Sequence, residues 1–294
     1  MRPSPPAIMC SVLLMVSCGC GRPDSGSGGD AFKDLAAARA AIPNKLDTKG
    51  AAPQEWEETR PELAAEEITF RSGDLTLKGW LGIPESGEGP YPAVVYIHGG
   101  FSFDGSEFDQ MYDWLDAGWA VLTPILRAEN GSAGHYDLLY HEIDDVIAAG
   151  EYLAEHKEVD PKRVCVMGHS VGGTRCILAA MLDSPFAASA SIGGATDVRD
   201  WLSGQEELAP FNHRDRDQIF VRSPMFHIRS LRIPLILARG AAEHWNQDQT
   251  HDFSREAKKL SKNVTVMTVP GDHFTCWDES NDRIRKRFSE IVGK

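Results

Sequence analysis

Short runs of apolar residues without a polar break recur along the chain, at residues 93–97, 164–167 and 235–238. A strand whose side chains are all apolar must be covered on both faces. Further strand signals stand at 120–123, 188–192 and 264–269, and stretches with helical spacing lie between them. The clearest covers 142–155, where Ile143, Val146, Ile147, Gly150 and Leu153 share one face and acidic residues the other. Shorter helices are expected at 32–42, 108–117, 174–182, 248–260 and 280–292. This alternation predicts an α/β fold: a mostly parallel central sheet with helices on both faces. Two alternating runs, 68–70 and 75–83, flank Ser72-Gly73-Asp74 and predict a hairpin before the parallel part begins. The rhythm breaks over 197–227, which is polar, aromatic and irregular, and is expected to form a small cap insert.

The 294 residues carry 30 Lys and Arg against 43 Asp and Glu, a formal net charge of −13. That balance argues against nucleic acid as a partner, because nucleic-acid binding needs clustered basic residues. Residues 7–16 are apolar except for Ser11 and follow Arg2, the layout of a secretory signal. Met15-Val16-Ser17-Cys18 resembles a bacterial lipobox, with Cys18 as the lipidated residue and Cys20 as a competing position. The chain thus divides into a leader (1–20), a flexible tether and N-terminal extension (21–65), and a catalytic domain (66–294) with its insert at 197–227. The expected location is outside the cytoplasm, as a secreted or cell-envelope lipoprotein touching the membrane only through its anchor. Three of the six cysteines belong to the leader, and Cys165, Cys176 and Cys276 are too few for a disulfide framework. No Cys-x-x-Cys pair or His-x-x-x-His helix spacing is present, so neither a metal nor another cofactor is expected.

Chemistry is concentrated at Gly168-His169-Ser170-Val171-Gly172-Gly173, between an expected strand and an expected helix. A serine on a sharp strand-to-helix bend projects its hydroxyl above the sheet, and the flanking glycines let the two backbones approach. The bend also sets the Val171 N–H at a helix N-terminus, where an oxyanion can be held. Ile97-His98-Gly99-Gly100-Phe101 follows the first fully apolar strand, so a second oxyanion donor is expected from the N–H of Gly100 or Phe101. His98 is expected to orient that loop. In this kind of site the chain order is Ser, then acid, then His. His273 follows the last strand and is the expected base; Glu243, after the strand at 235–238, is the expected acid, with Asp248 as the alternative.

Taken together these stretches resemble the α/β-hydrolase superfamily, and more narrowly the catalytic domain of the prolyl oligopeptidase (peptidase S9) family. The resemblance covers roughly residues 91–292. It extends to Glu142-Ile143-Asp144-Asp145-Val146, to Asp160-Pro161-Lys162-Arg163-Val164, and to Ser223-Pro224 followed by Ile233-Pro234-Leu235-Ile236-Leu237. It implies Ser170, Glu243 and His273 as the catalytic triad, although family members usually have Asp at the acid and Gly where Asp272 stands. Full-length members also carry a β-propeller; seven blades of about 40 residues need roughly 280, and about 65 precede this domain.

Without such a filter, substrate contacts are expected from the insert and from the loop at 127–141. Trp201, Phe211 and Phe226 are the candidates for an apolar pocket, and Arg127 and Glu129 for polar contacts. The expected function is a serine hydrolase of the S9 type acting on a small peptide or ester. A small-ester carboxylesterase is the nearest alternative, and a non-catalytic surface binding protein on a hydrolase scaffold a more distant one.

Overall fold

The structure is a computed structural model and describes residues 32–293. Eight strands form one sheet in the order β1-β2-β4-β3-β5-β6-β7-β8. The predicted hairpin is β1 (Glu66–Ser72) and β2 (Leu75–Gly82), paired antiparallel around a turn in which Gly73 has φ +55°. Strand β2 also runs antiparallel to β4 (Ala120–Ile125). From β4 onward the pairing is parallel, through β3 (Tyr91–Ile97), β5 (Val159–His169), β6 (Ala188–Ile192), β7 (Leu235–Gly240) and β8 (Val264–Val269).

The apolar runs are buried on both sides, as their composition demands. Successive side chains of a strand point to opposite faces, and each run divides accordingly. Ala93, Val95 and Ile97 join one core with Val164, Val166, Leu235 and Leu237. Val94, Tyr96, Cys165, Met167, Ile236 and Ala238 join the other. The first core is closed by α4 (Glu142–Glu155), α5 (Val171–Ala179) and α8 (Gln247–Lys259). The second is closed by α2 (Gly105–Asp109), α3 (Tyr112–Asp116) and α9 (Trp277–Val292), with Trp114 packed edge-on to Trp119 and Phe288.

The N-terminal segment packs on this body. Helix α1 (Leu35–Ala41) is capped by Asp34, buries Leu35 and Ala38, and is held through Arg39 to Asp144 at 2.9 Å. The insert holds two short helices, α6 (Val198–Leu202) and α7 (Arg216–Phe220), with 3-10 turns around them. Among the described residues no helix is long and apolar enough to cross a membrane. The leader, Cys18 and Cys20, and the Gly/Ser-rich part of the tether lie outside the described residues. Cys165, Cys176 and Cys276 are free and buried.

Candidate active site

Strand β5 runs into Ser170, and α5 starts at the next residue. Ser170 has φ 54° and ψ −126°, a left-handed backbone that a side chain ordinarily avoids. The bend is enforced by packing. A Cβ on Gly168 would stand 2.5 Å from both the carbonyl carbon and oxygen of Gly172. One on Gly172 would press into the carbonyl oxygens of Ile97 and His98. The two glycines therefore let β5, α5 and β3 close on one another. Ser170 N–H donates to Ile192 O at 2.8 Å, which ties the bend to the end of β6. Ser170 remains partly exposed, and the Val171 N–H opens the first turn of α5.

The loops after β7 and β8 bring Glu243 and His273 together beside this bend. His273 Nδ1 is hydrogen-bonded to Glu243 Oε1 in a very short contact. The Glu243 side chain is fully buried, and its other oxygen accepts from Gly240 N–H at 3.3 Å. A carboxylate at Nδ1 fixes that nitrogen as the protonated one and leaves Nε2 as the ring's acceptor. Both groups lie over Gly193, which directly follows Ile192; a Cβ there would stand 2.8 Å from His273 Nδ1 and 2.9 Å from Glu243 Oε1. Glu243, not Asp248, makes the contact with His273, and Asp248 is exposed in the first turn of α8. Asp272 points away, capping the following turn through Phe274, Thr275 and its hydroxyl.

His169 supplies a link that the spacing of the motif did not disclose. Its Nε2–H donates to the His273 carbonyl at 2.8 Å, and the two rings lie 4.7 Å apart. Burial, reinforced by the neighbouring His273, pushes its pKa down to about 4. His169 is therefore neutral near pH 7 and holds the His273 backbone from the residue beside Ser170.

The second oxyanion candidate loop is held from beneath by a buried charge network. His98 bonds the Gly99 carbonyl through Nδ1 (2.9 Å) and Glu129 Oε2 through Nε2 (3.0 Å). Glu129 also accepts from Leu126 N–H at 3.2 Å and from Arg175 at 3.2 Å. Burial alone would lower the His98 pKa, but the Glu129 carboxylate, with Glu107 and the Gly99 carbonyl, outweighs it and raises it. Burial alone would raise that of Glu129, but His98 and Arg175 bring it below the ordinary value. Glu129 is 1 % exposed, so it is a support of the loop and not the substrate contact that its loop position suggested. Arg127 is likewise committed, to Asp145 at 2.6 and 2.8 Å.

The three aromatic candidates separate. Trp201 stands edge-on to Phe101 of the oxyanion loop, ring centres 6.4 Å apart. Phe211 is buried beneath the Arg222 guanidinium, 4.0 Å from its ring centre, and has no surface to offer a ligand. Phe226 is exposed and stacks on Phe220, which packs against Phe32 of the N-terminal segment. Trp245 and Phe274, both exposed, flank His273 at 6.0 and 5.0 Å from its ring. Their signal was adjacency to the acid and base positions, not membership of the insert. Among the described residues no cluster of His, Cys, Asp or Glu could hold a metal ion.

This sheet order, with a serine on a strained bend after β5, defines an α/β-hydrolase. The family model for peptidase S9, the prolyl oligopeptidase family, matches residues 107–287, more than half of the chain. The chain belongs to that family and is a serine hydrolase. An uncharacterized peptidase of Bacillus subtilis, YtmA, is 24 % identical over 235 residues, covering 76 % of this chain and 91 % of its own length. The acylaminoacyl peptidase of Pyrococcus horikoshii superposes with a TM-score of 0.62 at 22 % identity, over 78 % of this chain and 40 % of that one. This chain thus corresponds to less than half of that peptidase. A Pyrococcus furiosus esterase superposes with a TM-score of 0.66 at 18 % identity, over 83 % of this chain and 97 % of that one.

Proposed function

We propose that the chain hydrolyses a small peptide or ester, with Ser170 as nucleophile, His273 as general base and Glu243 as the acid that orients it. The observation that carries this reading is the Glu243–His273 hydrogen bond, formed by loops after two different strands beside the strained Ser170 bend. His273 Nε2 takes the Ser170 Oγ proton as the oxygen attacks the substrate carbonyl. Glu243 keeps Nδ1–H in place and stabilises the imidazolium that results. The tetrahedral oxyanion is held by the Val171 N–H and by an N–H of Gly100 or Phe101. Its collapse passes the proton from His273 to the leaving group and leaves an acyl-Ser170, which water hydrolyses with His273 again as base. The edge-on contact of Trp201 with Phe101 supports Trp201 as the apolar residue that meets the acyl group.

Membership of the S9 family favours a peptide bond as substrate. A carboxylesterase is the second reading, and its support is the near-complete superposition on a stand-alone esterase. Two measurements decide. Fluorophosphonate labelling lost in Ser170→Ala establishes the nucleophile, and labelling that survives the substitution refutes it. Hydrolysis of an aminoacyl anilide at an efficiency comparable to a nitrophenyl ester identifies a peptidase; turnover of the ester alone identifies an esterase. The apolar stretch after Arg2 and the Met15–Cys18 sequence support export and lipidation at Cys18. Palmitate incorporation lost in Cys18→Ser tests this, and incorporation lost only in Cys20→Ser moves the anchor.

A further inference from the structure

Residues 43–61 cross the molecule as an irregular strap that connects the insert to the oxyanion loop. It is pinned at separate points. The Asp47 and Thr48 N–H groups donate to Pro210 O at 2.8 and 3.1 Å. Tyr136 N–H donates to Gly50 O at 2.9 Å, and Ala52 N–H donates to Ala128 O at 3.0 Å. Beyond the active-site loop, Gly105 N–H donates to the Thr59 hydroxyl at 2.8 Å. Between the last two anchors, Gln54 Oε1 accepts the Phe101 N–H at 2.9 Å. The same oxygen lies against the open face of Gly100, 2.5 Å from the place a Cβ would take. Gly99, one residue earlier, borders the nucleophile: a Cβ on it would stand 3.3 Å from Ser170 Cβ.

We propose that Gln54 is a specificity-determining residue, whose side-chain carbonyl stands in for the substrate carbonyl on the Phe101 N–H and must be displaced by it. This rests on the assignment of Ser170 as nucleophile. A carboxamide oxygen is the same kind of acceptor as the carbonyl of a peptide or ester, and one N–H serves one good acceptor at a time. Gln54 is itself exposed, so the bond it makes is of modest net strength and can be given up. A developing oxyanion makes a stronger, charge-assisted bond to the same donor. The ground-state carbonyl takes the Phe101 N–H on binding, before that charge develops, so the competition falls on substrate binding and not on the chemical step.

The test uses the full-length chain, with Gln54→Ala and the shape-preserving Gln54→Met, assayed on 4-nitrophenyl butyrate. The expected result is a KM lowered by about two- to tenfold in both variants, the worth of one released hydrogen bond, with kcat and the melting temperature unchanged. An unchanged KM overturns the proposal. So does a fall in kcat at constant KM, which would make Gln54 a support of the loop instead of a competitor. Failure of the Ser170 assignment is read separately, as hydrolysis that survives Ser170→Ala. A wild-type chain inactive on the ester, with activity emerging in the Gln54 variants, supports the proposal in its strongest form. Variants that stay inactive alongside the wild type overturn it.

Discussion

Gly168→Ala tests whether the bend at Ser170 is built by backbone contact. The added methyl would stand 2.5 Å from the Gly172 carbonyl carbon and oxygen and 2.8 Å from the Ile97 oxygen. Ordinary contact begins near 3.4 Å, so the shortfall is about 0.9 Å on the α5 side. All three atoms belong to the main chain, and no side chain can rotate aside. Either α5 lifts away from the sheet or β5 bends. Overpacking of this kind costs about 3 kcal/mol, and loss of a glycine's unfolded-state freedom returns up to about 1 kcal/mol. The net expectation is a loss of about 2 kcal/mol, or about 4–8 °C in melting temperature for a domain of this size. The same shift moves the Val171 N–H and Ser170 Oγ relative to His273, and a misplacement near 1 Å lowers the rate about 100-fold. Urea unfolding and the steady-state kcat on a nitrophenyl ester give the two readings. Gly50→Ala is the control, because nothing lies within 4 Å of its Cβ position; it should leave both unchanged within about 0.5 kcal/mol. A Gly168→Ala protein as stable and as active as that control would refute the account of the bend.

Glu243→Gln keeps the shape of the acid but removes its charge, and kcat should fall by about 10⁴-fold with little change in KM; a tenfold effect or less would remove Glu243 from the triad. Glu129→Gln leaves the buried Arg175 and His98 without their carboxylate and should cost about 3 kcal/mol in urea unfolding, whereas a neutral result would mean that the network contributes nothing. His169 and His227 both have pKa values pushed down to about 4, chiefly by burial. The unfolded chain therefore binds more protons than the folded one between about pH 6.5 and pH 4, and stability declines as the pH falls through that window. For His227, 4 % exposed with Nε2 donating to Phe220 O at 2.8 Å, the loss approaches about 3 kcal/mol; His227→Gln should flatten the pH dependence of unfolding across it, and an unchanged slope would show that another group is responsible.

What could be read in the sequence was whatever repeats or is local. Helix α4 carries a full apolar stripe over four turns and is found at the bounds that its stripe predicted. Strands β6 and β8 also lie where expected. Deviations occur where tertiary contact outweighs local preference. The expected helix at 108–117 is broken into α2 and α3 around Gln110 and Met111. Strand β5 starts at Val159, earlier than its apolar run, because Val159 pairs with Tyr91 before the register shifts. Helix α5 starts at Val171, ahead of expectation, and takes in Gly172 and Gly173, residues with poor intrinsic helix preference.

The same distinction divides the site. The positions of Ser170, Glu243 and His273 at strand ends, and the Glu243–His273 contact, were legible because each residue follows a strand in a fixed order, and a strand end is a local signal. The partners that complete them were not. Gln54 reaches Phe101 across 47 residues from a segment without periodicity, and no spacing rule points to it. His169 holds the His273 carbonyl across 104 residues, a contact that exists only once β5 and the loop after β8 are adjacent. Phe211 shows the converse: aromatic composition marks a segment that needs a surface to cover, and Phe211 is buried under the Arg222 guanidinium. Motif order thus locates the candidate site at the strand ends, while the residues packed against it are set by which distant loops the sheet order brings side by side.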